Sequence, residues 1–311
     1  MAYIGAGNHT SPVRRECVCV RILANPATGE TGMKRKTGLF ELRCTVRNCG
    51  LALSPVEGGL RCEKRHHFDR AREGYYSLSQ PQDRKSKQPG DADAAVLARH
   101  RWLQRGHASG LIDALRPWTA MQAGNGNSRT IDLGCGEGTF GPALFGDSPG
   151  SYCGIDLSKK AIKLAARGWP EATWVWANAD RSLPVADASV SCVLSLFGRR
   201  PVAEIARVLT EDGMLIVAVP GEEDLIELRE HVQQSGQRRS RWEKVVDEMA
   251  VAGLKLVEHR LWQEQVDLDS EAIADAMAMT YRGVRFSQNA RVQTATAMPV
   301  TLAADLMLFR T

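Results

Sequence analysis

Asp132-Leu133-Gly134-Cys135-Gly136-Glu137-Gly138 closes a short apolar strand, 129–133, and opens a helix. Its glycines let backbone pass close to a ligand where any Cβ would collide. In an open α/β sheet, ligands bind at such strand-to-helix turns. The spacing G-x-G-x-G differs from the dinucleotide pattern G-x-G-x-x-G, and no Gly-Lys-Ser/Thr follows to make a phosphate loop. Asp156 lies twenty-four residues beyond Asp132, at the end of the next strand. A carboxylate there can accept both ribose hydroxyls of a nucleoside. Asp180, after a third strand, is placed to accept from an adenine amino group. Each feature alone also suits a structural turn. In this order and at these intervals they specify an S-adenosylmethionine site.

Strands and helices alternate around this loop. Strands are expected at 151–156, 173–177, 190–196 and 214–219, and helices at 159–167 (capped by Ser158) and 201–209. In helix 159–167, Ile162, Leu164 and Ala165 or Ala166 form the buried face. A turn is expected at Asp212-Gly213. Short apolar strands separated by helices predict a parallel sheet covered on both faces, doubly wound by right-handed crossovers. Segments 254–262 and 300–309 read as a late hairpin-like pair at one sheet edge, with a helix at 270–279 between them. Upstream, Asp91 reads as the N-cap of a helix reaching about residue 105. A second helix, 108–115, is expected to end at Pro117.

The 311 residues are 43% hydrophobic and 24% charged, which excludes collagen-like, largely disordered and coiled-coil chains. No apolar run approaches the ~18–20 residues of a membrane helix, so no membrane partner is expected. No basic-then-apolar leader precedes the body, so a cytoplasmic protein is expected. The net charge of +4 is unevenly spread. Residues 33–105 hold sixteen basic and eight acidic side chains, net +8, whereas residues 106–311 carry −5. A basic front on a mildly acidic body suits a polyanion, although a solvated basic surface would look the same.

That front carries Cys44-x4-Cys49-x12-Cys62-x3-His66. Two close ligand pairs about a dozen residues apart have the spacing of a structural zinc site, Zn²⁺ suiting thiolate and imidazole donors. His67 could replace His66, but the x3 spacing favours His66. Glu57-Gly58-Gly59 between the pairs reads as a hairpin tip. Cys135, Cys153 and Cys192 fall in or beside core strands and read as small buried hydrophobes. The expected organisation is an extension at 1–38, a zinc-ribbon domain at 39–80, a basic linker and helices at 81–118 and the nucleoside-binding α/β domain at 119–311. Met33, followed by Lys34-Arg35-Lys36, could be the true start. Linker residues Arg84, Lys85 and Lys87 can follow phosphates or form a solvated hinge.

Through Asp-Leu-Gly-Cys-Gly-Glu-Gly and Gly154-Ile-Asp-Leu-Ser158 the chain resembles class I S-adenosylmethionine-dependent methyltransferases. Residues 62–75, Arg84-Lys-Ser-Lys-Gln-Pro-Gly-Asp91 and Arg105-Gly-His107 extend the likeness. They resemble the 23S rRNA (guanine-N1-)-methyltransferase family, in which a zinc ribbon is joined to such a domain. The resemblance implies methylation of guanine N1 in a 23S rRNA hairpin. It also implies cofactor contacts at Gly134, Gly136, Thr139, Phe140, Asp156 and Asp180, with Ala108 and Asp224 standing where relatives have bulkier contact residues. The chain departs from the family in its longer first knuckle, the short helix 139–145 containing Pro142, and Phe197-Gly198-Arg199-Arg200 after strand 190–196.

Guanine N1 is protonated near neutral pH, so a base must take its proton or a cation must stabilise charge on O6. Arg199 and Arg200 could hold that edge or form a surface charge pair; no catalytic base is assigned. The absence of Asn/Asp-Pro-Pro-Tyr/Phe after strand 190–196 argues against exocyclic amino methylation. Two other readings fit the residues: a metabolite methyltransferase, and a zinc-ribbon RNA-binding protein that no longer catalyses. Homodimer formation is left open.

Overall fold

The structure is a computed structural model, described here for residues 40–81, 90–122, 128–233, 238–280 and 297–311. The expected extension 1–38, the alternative start at Met33 and the basic linker residues Arg84, Lys85 and Lys87 lie outside the described residues.

The front segment folds as three short antiparallel strands, β1 (Ser54–Val56), β2 (Gly59–Arg61) and β3 (His67–Asp69). Gly58 turns the tip at φ +75°, and Gly59 is held so close to the Phe68 carbonyl that no side chain would fit. A fourth strand, β4 (Tyr76–Ser77), leaves this ribbon and joins the main sheet. Helices α1 (Asp93–Gln104) and α2 (Ser109–Ala120) lead into the alternating body. There follow β5 (Thr130–Leu133), α3 (Phe140–Phe145), β6 (Tyr152–Asp156), α4 (Lys159–Gly168), β7 (Thr173–Trp176), β8 (Val190–Leu196), α5 (Val202–Val208) and β9 (Leu209–Pro220). The chain closes with α6 (Ile226–Gln233), α7 (Trp242–Val251), β10 (Lys255–Leu268), α8 (Ser270–Thr280) and β11 (Met298–Arg310).

The main sheet has the order β10-β11-β9-β8-β5-β6-β7-β4. It is parallel from β4 through β9, while β11 and β10 run antiparallel at one edge. All four residues of β5 are buried, as expected of a strand covered on both faces. Ile131 and Leu133 pack into one cluster, and Leu194 and Trp174 into the cluster on the opposite face. The chain runs outward from β5 through β6 and β7, then crosses back to β8 on the other flank of β5. The carboxyl end of β5 is therefore the switch point where a crevice opens.

The ribbon is built into this body. Phe40, Leu42, Leu53, Leu60 and Phe68 share one buried cluster with Ile131, Leu133, Val175 and Leu183. Burial of each is worth about 1.5–3 kcal/mol. The Arg43 amide donates to the Pro184 carbonyl at 2.7 Å, and the Leu78 amide to Trp176 at 3.1 Å.

Several boundaries differ from the sequence expectation. The N-cap of α1 is Ala92, while Asp91 forms an ion pair with Arg99 at 2.9 Å. Pro117 lies inside α2 and does not end it. Its missing N–H and ring clash cost ~3 kcal/mol. The helix continues because Leu115 and Trp118 are buried and the Trp118 indole donates to Glu258 at 2.9 Å. Leu164 is only half-buried, because Ala161, Ile162, Ala165 and Ala166 form the inner face of α4. The strand expected from Met214 begins at Leu209. Pairing jumps from Val190–Leu209 to Cys192–Met214, so the expected turn at Asp212-Gly213 is a bulge within one strand. The late hairpin-like pair is antiparallel as expected, but both strands are longer.

Candidate functional site

The switch-point crevice is organised by the loop after β5. Gly134, Gly136 and Gly138 have φ of +71°, +59° and +86°, a region other residues enter only with strain. Their surroundings differ. A Cβ on Gly138 would strike the Trp174 ring at 2.7 Å and the Ala165 Cβ at 2.8 Å, so this glycine lets the loop lie against α4. A Cβ on Gly136 would meet nothing within 4 Å, although the residue is buried, and Gly134 is the exposed glycine of the loop. The Gly134 and Cys135 amides both donate to the Ile155 carbonyl. The Gly136 amide donates to Asp156 Oδ2 at 2.9 Å, and the Ser158 amide to Oδ1 at 2.6 Å. Burial pushes the Asp156 pKa up, and these two amides pull it back. Each oxygen keeps lone-pair capacity for a ligand hydroxyl.

Thr139 Oγ1 donates to Glu137, and Phe140 is half-buried against the cluster on that face. Beneath the loop, buried Asp132 accepts from Tyr152 Oη at 2.6 Å; burial pushes its pKa up to about 7. Asp180 is exposed, with Oδ2 lying 3.6 Å from Arg199 Nε. Arg199 borders the glycine loop, its backbone nitrogen lying 4.0 Å from where a Cβ on Gly134 would stand. Arg200 turns inward, donates to the Gly198 carbonyl and lies 3.8 Å from Glu248; burial lowers its pKa.

Gly136 and Asp156 are in direct contact, and Gly134 bonds to Ile155, the residue before Asp156. Ala108 instead caps α2 from a buried position. Asp224 accepts from the Ala303 amide of β11 at 3.1 Å, and burial pushes its pKa up to about 6. Sequence reasoning missed Gly90. A Cβ there would meet the Ser158 amide nitrogen at 2.7 Å, so the start of α1 is laid over the Asp156 loop. Pro89-Gly90 was the available signal, since a turn at that point returns the chain to the body.

In the ribbon, Cys44, Cys49, Cys62 and His66 bring their donor atoms within 4.8 Å of one another. His66 Nδ1 lies 3.3 Å from Cys44 Sγ and 3.5 Å from Cys62 Sγ; Cys49 and Cys62 Sγ are 3.9 Å apart. A tetrahedral zinc bound by thiolates and imidazole sets such separations at about 3.6–3.8 Å, so the donor set fits Zn²⁺. The longer first knuckle closes through Asn48 at φ +59°, and the second through Arg65 at φ +66°. His67 points elsewhere, its Nδ1 lying 3.4 Å from Asp69.

The profile described as "Methyltransferase domain" matches residues 131–213, and that described as "RlmA, N-terminal", a zinc ribbon, matches residues 43–87. The 23S rRNA (guanine(748)-N(1))-methyltransferase of Streptomyces fradiae is 30% identical over 249 residues, spanning 79% of this chain and 86% of that protein. The chain belongs to the 23S rRNA (guanine-N1-)-methyltransferase family. A second relative, from Micromonospora griseorubida, bears a provisional name of the same activity. It is 32% identical over 208 residues, covering 61% of this chain and 69% of its own length. Among solved structures, the YcgJ protein of Bacillus subtilis aligns with a TM-score of 0.47 at 16% identity, covering 64% of this chain and 98% of its own. Like its family, the protein is an S-adenosylmethionine-dependent methyltransferase carrying a structural zinc. Among the described residues, no helix is long and apolar enough to cross a membrane.

Proposed function

We propose that this protein methylates N1 of a guanine in a 23S rRNA hairpin, in the cytoplasm. The observation that carries the reading is the Gly136–Asp156 contact at the sheet's switch point, in a chain whose front closes a Cys3His cluster. S-adenosylmethionine supplies a methyl group made electrophilic by its sulfonium. The protein's residues supply position. Gly134 and Gly136 offer bare backbone, Asp156 accepts the ribose hydroxyls, and Asp180, Thr139 and Phe140 complete the cofactor's surroundings. Ala108 and Asp224 are further cofactor contacts in this reading, standing where relatives have bulkier contact residues. Arg199, 83% exposed beside the glycine loop, faces the O6 edge once it leaves Asp180. Its charge would favour loss of the N1 proton by stabilising the anion that results. A base in a hairpin must leave its stack to enter the crevice. The basic ribbon holds RNA backbone while it does so.

The test is to incubate purified protein with methyl-labelled cofactor and 23S rRNA from a strain lacking the gene. A methyl on N1 blocks the pairing edge, so reverse transcriptase should stop beside one guanine, and mass mapping should place the label there. Label on an exocyclic nitrogen, or no label in RNA, would overturn the proposal.

A further inference from the structure

Phe197 follows β8 directly, and it breaks two rules at once. Its backbone is left-handed, φ +59°, where a bulky side chain is strained. The residue is 47% exposed, although large apolar side chains gain most by burial. Among the described residues it belongs to none of the three buried clusters. Glycine or asparagine would adopt this turn at far lower cost. Strain of this kind persists where the surroundings enforce it, and it concentrates at ligand clamps.

The surroundings do enforce it. The Phe197 amide donates to the Ala218 carbonyl at 2.8 Å, and Ser195 Oγ donates to the Arg199 carbonyl at 3.2 Å, pinning both sides of the bend. The next residue, Gly198, presses on the glycine loop, where a Cβ would lie 2.6 Å from the Leu133 carbonyl and 3.7 Å from Gly134 Cα. Phe197 is therefore anchored one residue from the cofactor loop, on the flank of the crevice opposite Asp156, and two residues before exposed Arg199.

We propose that Phe197 is the stacking platform for the target base, holding the extruded guanine flat beside the methyl donor. This rests on the guanine reading above. A planar purine gains most from an open aromatic face, and its hydrogen-bonding edge would then lie beside Arg199. The strain keeps the ring out of the protein core and available to RNA.

The test uses the full chain, its zinc intact, with Phe197→Ala, Phe197→Leu and Phe197→Tyr. Single-turnover methylation of 23S rRNA is measured together with calorimetric cofactor affinity and melting temperature. Loss of one base–aromatic stack should lower the Ala and Leu rates on the order of 5- to 150-fold. Tyr should recover most of that loss, and cofactor affinity should hold in all three. A Leu variant as fast as wild type would overturn the platform, because any apolar filler would then suffice. Cofactor affinity falling in step with rate would also overturn it, by making Phe197 a cofactor contact. Wild-type protein that methylates no guanine would overturn the guanine reading and the platform together, whereas active wild type with an unaffected Ala variant overturns the platform alone.

Discussion

The Gly136 amide donates to the Asp156 carboxylate across 2.9 Å, joining the glycine loop to the acid that ends the neighbouring strand. The same carboxylate fastens the Ser158 amide, so it both shapes the loop and faces the crevice. Asp156→Ala removes the acceptor of two backbone amides and the proposed ribose acceptor. Charge-assisted bonds of this kind are worth about 1.5–3 kcal/mol each, so cofactor affinity should fall on the order of 100-fold or more by calorimetry. Asp156→Asn keeps one acceptor oxygen and should fall between. Undiminished affinity in the Ala variant would remove Asp156 from the site.

Gly138→Ala tests the packing beneath the loop. The new Cβ meets Trp174 and Ala165 within 2.8 Å at a left-handed position. Overpacking and strain together should cost roughly 2–4 kcal/mol in denaturant unfolding. Gly168→Ala, with nothing within 4 Å of its Cβ and no positive φ, should be neutral or slightly stabilising. Equal effects at the two positions would contradict the account.

Zinc removal should act on the ribbon first. Its three strands hold three residues each, too few to be stable without the metal and the shared core. Cys44→Ala or Cys62→Ala should speed hydrogen exchange across residues 43–78 and lower rRNA methylation by at least roughly tenfold. Calorimetry should show cofactor affinity little changed. A metal-free variant that still methylates RNA at full rate would deny the ribbon its role.

Asp132 predicts a pH dependence. Its folded pKa is raised to about 7, mainly by burial. Between the ordinary carboxylate range and pH 7 the folded protein keeps a proton that the unfolded chain has lost. Stability should therefore fall as pH rises through that window, by a few kcal/mol on the order of 1.4 per unit. Asp132→Asn cannot titrate but can still accept from Tyr152. Unfolding at pH 4.5 and 7.5 should show a shallower decline in this variant than in wild type; identical declines would refute the assignment.

The parallel strands were legible because buried strands read as short apolar runs between turn residues, as in Thr130-Ile-Asp-Leu133. The glycine loop was legible because a left-handed backbone at Gly134, Gly136 and Gly138 demands glycine at those intervals. The zinc ligands were legible because two tight knuckles leave a spacing in the chain. Pro117 was misread because local chemistry argues for a helix end, while the burial of Leu115 and Trp118, and the bond to Glu258 far along the chain, carries the helix through. The bulge at residues 210–213 was misread for a similar reason: Asp-Gly signals a turn, but pairing with β8 resumes beyond it.

By itself, the order of residues determined the layer architecture, the glycine loop after β5 and the Cys3His cluster, since each depends on contacts or periodicities within short stretches. Tertiary structure alone decided that the ribbon lends a strand and five core side chains to the body. It also decided that Gly90 lies against the Asp156 loop and that Phe197 is held strained and open beside Gly134. Those relationships join residues scores of positions apart. They arise from the way separate surfaces exclude water together, which no local pattern encodes.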